Sequence, residues 1–205
     1  MPALLSNHSA IEVVKVLYNT TEFTGMEPEQ AAQTFLLGAP VQLNVGFVRE
    51  WDGTTVANGL LGFSLEDAHN LVSNGFGAPG AFTPVGFPGT GITFGSVPNE
   101  PFAVNIPLGA PFSLGTLNFA YADSGTIFRG QTDNNTGTAT TPTQANVGTL
   151  YGLTKDSFGH WYVDFGKVTV GTNTVVEMVD LDPIDGSIAN ARILFRVIRT
   201  AQFLQ

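Results

Sequence analysis

The chain has three histidines, His8, His69 and His160, the residue type best suited to proton transfer near neutral pH. None of them has a second histidine four residues away, and none directly adjoins an acidic residue in the sequence. A zinc site or a catalytic triad needs such partners within reach of the ring nitrogens. We therefore expect structural roles for all three, in an N-terminal arm, a short helix and a strand respectively.

The usual sequence signatures of a nucleophile or a bound cofactor are missing. The chain has no cysteine and no Gly-x-Ser-x-Gly elbow, so a thiol nucleophile is excluded and that type of activated serine is not indicated. The glycine-rich stretch from Gly86 to Gly91 lacks the lysine of a phosphate-binding loop and is interpreted as turns. We predict a non-enzymatic protein with no catalytic residue, no cofactor and no metal ligand. Carboxylate pairs for glycoside hydrolysis stay open, since only their separation in space identifies them.

Two further groups of residues bear on binding. The acidic stretch DLDPIDG at 180–186 resembles a calcium loop, but its spacing misses the EF-hand positions and no closing glutamate follows, which favours a turn between strands. Trp51, Trp161 and Tyr162 are suited to stack on sugars if they are exposed. Inward positions on strands would instead make them core residues, and we favour that interpretation.

Charge limits the classes of partner. Seventeen acidic against eight basic residues give a net charge of −9, which opposes binding to phosphate backbones and to anionic membrane surfaces. We expect neither a nucleic-acid nor a membrane partner. The first residues, MPALLSNHSAIEVV, lack a basic region followed by a long apolar core, so we also expect synthesis without a cleaved signal.

The composition predicts a β protein. Only 12% of the 205 residues are charged and 43% are hydrophobic, with 24 glycines and 12 prolines, a balance that suits short strands joined by many turns. We expect a single, mainly β domain over 1–205. Its predicted architecture is an antiparallel barrel or sandwich built from hairpins, with one or two short helices and a long Gly/Pro/Phe-rich loop.

The stretch 34–71 carries the most definite pattern. Apolar residues alternate from Val41 to Phe47, which predicts one strand with Gln42 and Asn44 facing outward. Two tight turns are predicted after it, at Asp52-Gly53 and Asn58-Gly59.

Two short helices and several more strands are predicted around that stretch. Ser64, followed by Glu66 and Asp67, resembles a helix N-terminus and predicts a helix through about Leu71. Helix formers after a proline predict one or two helical turns over 27–35. The remaining predicted elements are a strand over 11–18, a hairpin over 148–165 with its turn at 155–159, and a last strand pair, 173–181 and 190–199, with its turn at 182–186.

The last strand pair also predicts specific side-chain positions. Ile193, Phe195 and Val197 alternate toward the core. Arg192 and Arg196 share the opposite face, where we expect them to pair with Glu177 or Asp180 across the strands.

The stretch 75–112 has an unusual composition for a loop. It holds seven prolines, eight glycines, six phenylalanines and a single charged residue, Glu100. So many phenylalanines must be buried, either within their own domain or against a neighbouring subunit. The candidate subunit-contact residues are Phe76, Phe82, Phe87, Phe94 and Phe102. Residues 1–10 are expected to form an extended arm, and 130–146 an exposed polar loop.

Three phrases of the sequence resemble those of a known group of proteins. They are GAPVQLNVGFVREWDGTT with GLLGFSLEDAHNL, then GTLYGLTKDSFGHWYVDF, then ARILFRVIRTAQFLQ. Together they resemble small virion structural proteins of tailed bacteriophages, most of all capsid decoration (cement) proteins. The resemblance covers roughly 31–71 and 147–203, and the central 75–112 stretch has no counterpart in it.

The resemblance implies a role. A decoration protein binds the outside of the head in many copies, often as a homotrimer, and bridges subunits of the major capsid protein. It is made in the cytoplasm of the host bacterium. Three alternatives remain: another virion component such as a tail or adaptor protein, a carbohydrate-binding β module, and an enzyme whose acid pair forms only in the fold.

Overall fold

The computed structural model describes residues 8–16, 24–30, 32–44, 46–53, 59–69, 116–123, 125–136, 138–168 and 174–202. The prediction of a mainly β protein is confirmed. The strands are β1 (Glu12–Val16), β2 (Thr24–Pro28), β3 (Pro40–Asn44), β4 (Phe47–Glu50), β5 (Gly62–Ser64), β6 (Thr116–Tyr121), β7 (Thr126–Asp133), β8 (Leu150–Lys155), β9 (Trp161–Asp164), β10 (Val176–Leu181) and β11 (Arg192–Val197). Helical structure in these ranges is limited to two 3-10 turns, Gln144–Asn146 and Arg199–Ala201.

Five strands close into a barrel in the order β7, β11, β10, β8 and β9. The ring closes because the end of β7 pairs in parallel with β9, with Thr132 opposite Val163 and Asp133 opposite Asp164. The earlier part of the same strand pairs antiparallel with β1, where Glu12 lies opposite Arg129. β7 therefore changes its neighbour from β1 to β9 along its length, and the junction between them is where the N-terminal segment meets the barrel.

A second sheet has the order β2, β6, β5, β3 and β4, with every neighbour antiparallel. Its two outer strands also approach each other, because Glu29 forms a parallel bridge with Val48 and the Gln30 N–H donates to the Val48 carbonyl at 2.8 Å. Glu29 is therefore held at a closed seam of the sheet, where its side chain is wholly buried.

One hydrophobic cluster joins the barrel to the second sheet. The Phe63 ring, from β5, lies 4.5 Å from that of Phe128 and 5.9 Å from that of Phe195, both in the barrel. Trp51 and Trp161 meet in the same way at 5.7 Å between ring centroids. Because burial of a large apolar side chain contributes about 1.5–3 kcal/mol, these contacts hold the two sheets together strongly.

The predicted strand over Val41–Phe47 is two strands. β3 ends at Asn44 and β4 begins at Phe47, which pairs with Asn44, so the chain reverses between them. Gly46 takes φ +85°, a conformation that glycine adopts readily. The alternation of apolar residues continues through this turn, so the pattern did not indicate the reversal. Gln42, which was predicted to face outward, is buried. Gly53 and Gly59 both have positive φ, while residues 54–58, which both predicted turns include, lie outside the described residues.

Both predicted helices are wrong within the described residues. Glu27 and Pro28 end β2, and residues 32–35 are irregular. Ser64 is the last residue of β5, and its hydroxyl accepts the Ala39 N–H at 3.0 Å instead of capping a helix. Hydrogen bonds to distant backbone groups satisfy the groups that a local helix would otherwise use.

The remaining strand predictions are confirmed. β1 lies within 11–18, β8 and β9 form the 148–165 hairpin, and β10 and β11 form the last pair. Ile193, Phe195 and Val197 are buried as expected. The polar loop predicted at 130–146 begins later, because residues 130–133 belong to β7 and both Thr132 and Asp133 are buried.

Candidate functional site: two histidine–carboxylate clusters

The barrel contains a buried histidine at the junction of β1, β7 and β9. His8, which the sequence placed in an arm, has a side chain with no exposure, and its neighbours Asp133 and Asp156 are 4% and 0% exposed. Asp133 ends β7, and Asp156 begins the turn between β8 and β9. We call His8, Asp133, Asp156 and Tyr162 the His8 cluster.

Both ring nitrogens of His8 face carboxylates. Nδ1 lies 2.9 Å from Asp156 Oδ2, and Nε2 lies 3.1 Å from Asp133 Oδ2. The backbone N–H of His8 also donates to Asp156 Oδ2, at 3.2 Å. The ring stacks on Tyr162 with 4.3 Å between centroids and 17° between planes. The imidazole is therefore fixed in position and in orientation.

Asp156 receives hydrogen bonds on both of its oxygens. Besides His8, the backbone N–H groups of Phe158 and His160 donate to Oδ1 at 2.8 and 2.9 Å, which shapes the β8–β9 turn. Burial raises the pKa of Asp156, but the hydrogen bonds from His8 and from these amides outweigh it and bring the pKa below its ordinary value. A lowered carboxyl pKa adds stability above the unfolded-state value, and that stability is lost as the pH falls through the folded-state pKa.

A further carboxylate, that of Asp164, lies beside Tyr162 of the His8 cluster. Burial, and then the charges of Asp164 and Asp133, raise the pKa of Tyr162 well above its ordinary value, so the phenol stays neutral. Asp164 is itself buried, and it accepts hydrogen bonds from the Thr154 hydroxyl at 2.6 Å and from the Gly166 N–H at 2.8 Å. His8 is thus surrounded by acids on adjoining strands.

A second histidine lies at the seam of the second sheet. His69 Nδ1 lies 2.6 Å from Glu29 Oε2, and the backbone N–H of His69 donates to Glu29 Oε1 at 3.1 Å. Its Nε2 lies 3.9 Å from Glu66 Oε2, beyond hydrogen-bonding distance, while Glu66 Oε1 accepts two bonds from Asn118. We call Glu29, Glu66, His69 and Asn118 the His69 cluster.

The His69 cluster is only partly enclosed. The His69 side chain is 41% exposed, whereas Glu29 is fully buried. The hydrogen bond to Glu29 raises the pKa of His69, burial opposes this, and the charges of Glu29 and Glu66 add to the increase. A raised histidine pKa gives stability that is complete below the unfolded value and is lost as the pH rises through the folded value.

Among the described residues, the rings of both histidines contact carboxylates, and the His8 ring also stacks on Tyr162. The His8 ring is enclosed by protein, and in the described ranges no serine or threonine hydroxyl is hydrogen-bonded to either histidine ring. Within those ranges, no group of three or more His, Asp or Glu side chains is arranged to hold a metal ion. What both clusters do is fix parts of the chain that are distant in sequence.

The acidic stretch 180–186 is a turn held by arginines. Asp182 is buried, accepts the Ile184 N–H at 2.8 Å, and has Oδ2 3.6 Å from both Arg129 and Arg192. Arg192 also donates to Asp185 at 2.8 Å, and the hydrogen bonds from Arg192 lower the pKa of Asp185 to about 2. Arg196 was predicted to pair with Glu177 or Asp180, and it pairs with Glu177 at 2.8 Å, which confirms that prediction. Arg192, for which the same two partners were predicted, instead pairs with Asp185.

The aromatic residues considered for sugar stacking are core residues. Trp51, Trp161 and Tyr162 are 4%, 7% and 0% exposed. The indole N–H of Trp161 donates to Glu50 Oε1 at 2.8 Å, so its polar edge is satisfied internally. A sugar ring needs an accessible aromatic face, and these three residues do not provide one.

Sequence reasoning missed the partners of His8 and His69. They lie 148, 125 and 40 positions away along the chain, so no local spacing indicates them. The predicted subunit-contact residues Phe76, Phe82, Phe87, Phe94 and Phe102 lie outside the described residues. The same holds for residues 1–7 of the predicted arm, whereas residues 8–10 belong to the barrel region.

Comparison of the chain with protein-family models, with curated proteins and with solved structures found no match. In the described ranges, no helix has the length and apolar character needed to cross a membrane.

Proposed function

We propose that this protein is a non-enzymatic virion component, a phage capsid decoration protein that binds the outside of the head and bridges subunits of the major capsid protein. The observation that carries the proposal is that the buried and partly buried ionisable residues bind one another across distant segments of the chain. Both histidine–carboxylate clusters serve to anchor the chain in a closed β structure, as a clamping protein requires. The resemblance of the strand-and-turn phrases supports the same role.

The positions of the clusters match the segments proposed to contact the shell. His8 directly follows residues 1–7, and His69 lies six positions before the start of the 75–112 stretch. An extended segment that reaches a neighbouring subunit transmits force only if its base is firmly attached. Charge-assisted hydrogen bonds, buried at His8 and partly enclosed at His69, provide that attachment. We place the contacts to other subunits on residues 1–7 and 75–112, and the protein on the capsid exterior.

Binding to undecorated capsids tests the role directly. Purified protein is added to capsids that lack it, and bound copies are counted after sedimentation. We expect saturable binding and greater resistance of the capsids to heat. Absence of binding, with the protein found at the tail by labelled-antibody microscopy, would favour a tail or adaptor protein.

A deletion tests the arm. Removal of residues 1–7 is expected to lower capsid occupancy while leaving the melting temperature unchanged, because His8 and β1 remain. The matched control replaces the same residues by a Gly/Ser segment of equal length, which separates the effect of sequence from that of length. Unchanged occupancy in the deletion variant contradicts the arm assignment.

The phenylalanines and the proposed homotrimer are tested by light scattering across a range of concentrations. We expect a trimer that dissociates when Phe87 and Phe94 are both changed to serine, if these residues pack between subunits. A monomer that unfolds more readily with the same changes places them inside one subunit and removes the intersubunit assignment.

A further inference from the structure

We propose that the His8 cluster is a proton-dependent anchor, which holds residues 8–11 in the barrel while both ring nitrogens of His8 carry hydrogens and releases them when one hydrogen is lost. The inference concerns the chain itself and does not depend on the proposed role in a virion. It rests on the hydrogen-bond geometry around a fully buried ring.

The donors and acceptors of the cluster balance only while two hydrogens lie between the ring nitrogens of His8 and the two carboxylates that face them. Asp133 Oδ2 and Asp156 Oδ2 are acceptors when ionised, and each faces one ring nitrogen of His8 at 3.1 and 2.9 Å. An imidazolium supplies a hydrogen to both. A neutral imidazole between two ionised carboxylates supplies a single N–H and leaves the other nitrogen with its lone pair directed at a carboxylate, in a site enclosed by protein.

No other cation compensates for that loss among the described residues. Asp133 contacts the ring from β7, Asp156 from the β8–β9 turn, and Tyr162 from β9, with Asp164 beside Tyr162. In the described parts of the chain, the only ion-pair partner of Asp133 and of Asp156 is His8. Deprotonation of His8 therefore leaves two buried carboxylates near each other without a positive charge, which is strongly unfavourable.

The part of the chain that this would release is short. Pairing between β1 and β7 begins at Glu12, so the residues before it depend on other contacts. His8 depends on Asp156, and the Ser9 N–H donates to the Gln131 side chain at 3.1 Å. Ile11 is buried in the core against the site of Gly130. Opening is expected to stop at Glu12, since local openings follow the limits of cooperative units.

Hydrogen exchange of the full-length protein tests the proposal. Protection factors, which correct for the intrinsic pH dependence of exchange, are measured for the amides of residues 9–11 and of β11 between about pH 6 and about pH 10. We expect protection of residues 9–11 to fall by about tenfold or more over this range while that of β11 is unchanged. Protection of residues 9–11 that stays constant to about pH 10 overturns the proposal.

Two variants separate the anchor from a general effect of pH. In Asp133→Asn, the new amide N–H can donate to Nε2 of a neutral His8 while Nδ1–H still donates to Asp156, so protection is expected to become independent of pH. In Asp156→Asn, the amide hydrogens would face the backbone N–H of His8, so protection is expected to be low throughout. An Asp133→Asn protein that loses protection at the same pH as the unaltered chain overturns the proposal.

A third variant covers the case in which Asp133→Asn fails to fold. His8→Asn keeps an N–H near the position of Nδ1, within reach of Asp156, but has no group that titrates in this range. Its residues 9–11 are expected to show the same protection at every pH. A pH-dependent loss in this variant as large as in the unaltered chain would assign the effect to another group and refute the anchor.

Discussion

The two histidine clusters use the same pair of chemical groups in different surroundings. His8 is fully buried and faces a carboxylate at each ring nitrogen, whereas His69 is 41% exposed and has one carboxylate at 2.6 Å and another at 3.9 Å. In the first cluster no water can replace a lost partner. In the second, solvent reaches the ring but not the carboxylate of Glu29, which is wholly buried.

This difference determines what each histidine contributes to stability. Breaking a buried ion pair leaves an uncompensated charge and is costly, while an exposed pair contributes little. The His69 cluster lies between these limits, because Glu29 keeps the backbone N–H of residue 69 as a donor even if the ring is removed. We therefore expect three levels of effect: the His8 cluster, the His69 cluster, and the surface pairs.

The largest effect is expected from His8→Ala. It leaves Asp133 and Asp156 buried without their shared cation, and we expect the free energy of unfolding to fall by about 3–5 kcal/mol. Urea denaturation near neutral pH measures this change. Ser9→Ala is the control: Ser9 is exposed and its bond to Gln131 uses the backbone N–H, so a change within about 0.5 kcal/mol is expected. If His8→Ala had an effect as small as that of Ser9→Ala, the His8 cluster would not be the costly buried ion pair that this comparison assumes.

A smaller effect, with a distinct pH dependence, is expected from His69→Ala. Loss of the ring removes one of the hydrogen bonds to a buried carboxylate, and we expect a destabilisation of about 1–3 kcal/mol. His69→Asn retains an N–H near the position of Nδ1 and should recover part of it.

The pH dependence of that effect follows from the raised pKa of His69. The contribution of the charged ring is complete below about pH 6.5 and is lost as the pH rises through the folded-state pKa. The difference in melting temperature between the unaltered protein and His69→Asn should therefore shrink from about pH 6 to about pH 9. A difference that grows with pH would contradict the ion-pair account of this cluster.

The smallest effect is expected at the exposed pair of Arg196 and Glu177, whose side chains are 42% and 27% exposed. A double-mutant cycle with Arg196→Ala and Glu177→Ala is expected to give a coupling energy of about 0.2–1 kcal/mol. The coupling should weaken in high salt, because an exposed pair is screened. A coupling energy as large as the loss of stability in His8→Ala would show that burial does not determine how much an ionic pair contributes to stability.

Local patterns predicted much of the sheet structure and little of the ionic structure. The β8–β9 and β10–β11 hairpins were predictable because alternation and turn residues lie within a few positions of each other. So was the Glu177–Arg196 pair, which follows from the register of one hairpin. The reversal before Phe47 was missed, because the alternating pattern continued across it.

The histidine clusters were not predictable for a physical reason. Seventeen acidic residues compete for three histidines, and the choice of partners is made by strand pairing between distant segments. His8 meets Asp133 only because β7 passes from β1 to β9, a change of neighbour that no stretch of sequence specifies. The predicted helix at Ser64 failed similarly, since the Ala39 and Leu36 backbone groups that satisfy its hydroxyl come from another part of the chain.

The most direct test of the account is the protonation state of the His8 ring in the folded protein. Long-range proton–nitrogen NMR at about pH 6.5 distinguishes an imidazolium from either neutral tautomer, and the His8 signals are identified by their loss in His8→Asn. We predict that both ring nitrogens of His8 are protonated and exchange slowly with solvent. A neutral His8 ring, with one nitrogen lacking a hydrogen, would contradict the assignment of this histidine as the shared cation of Asp133 and Asp156.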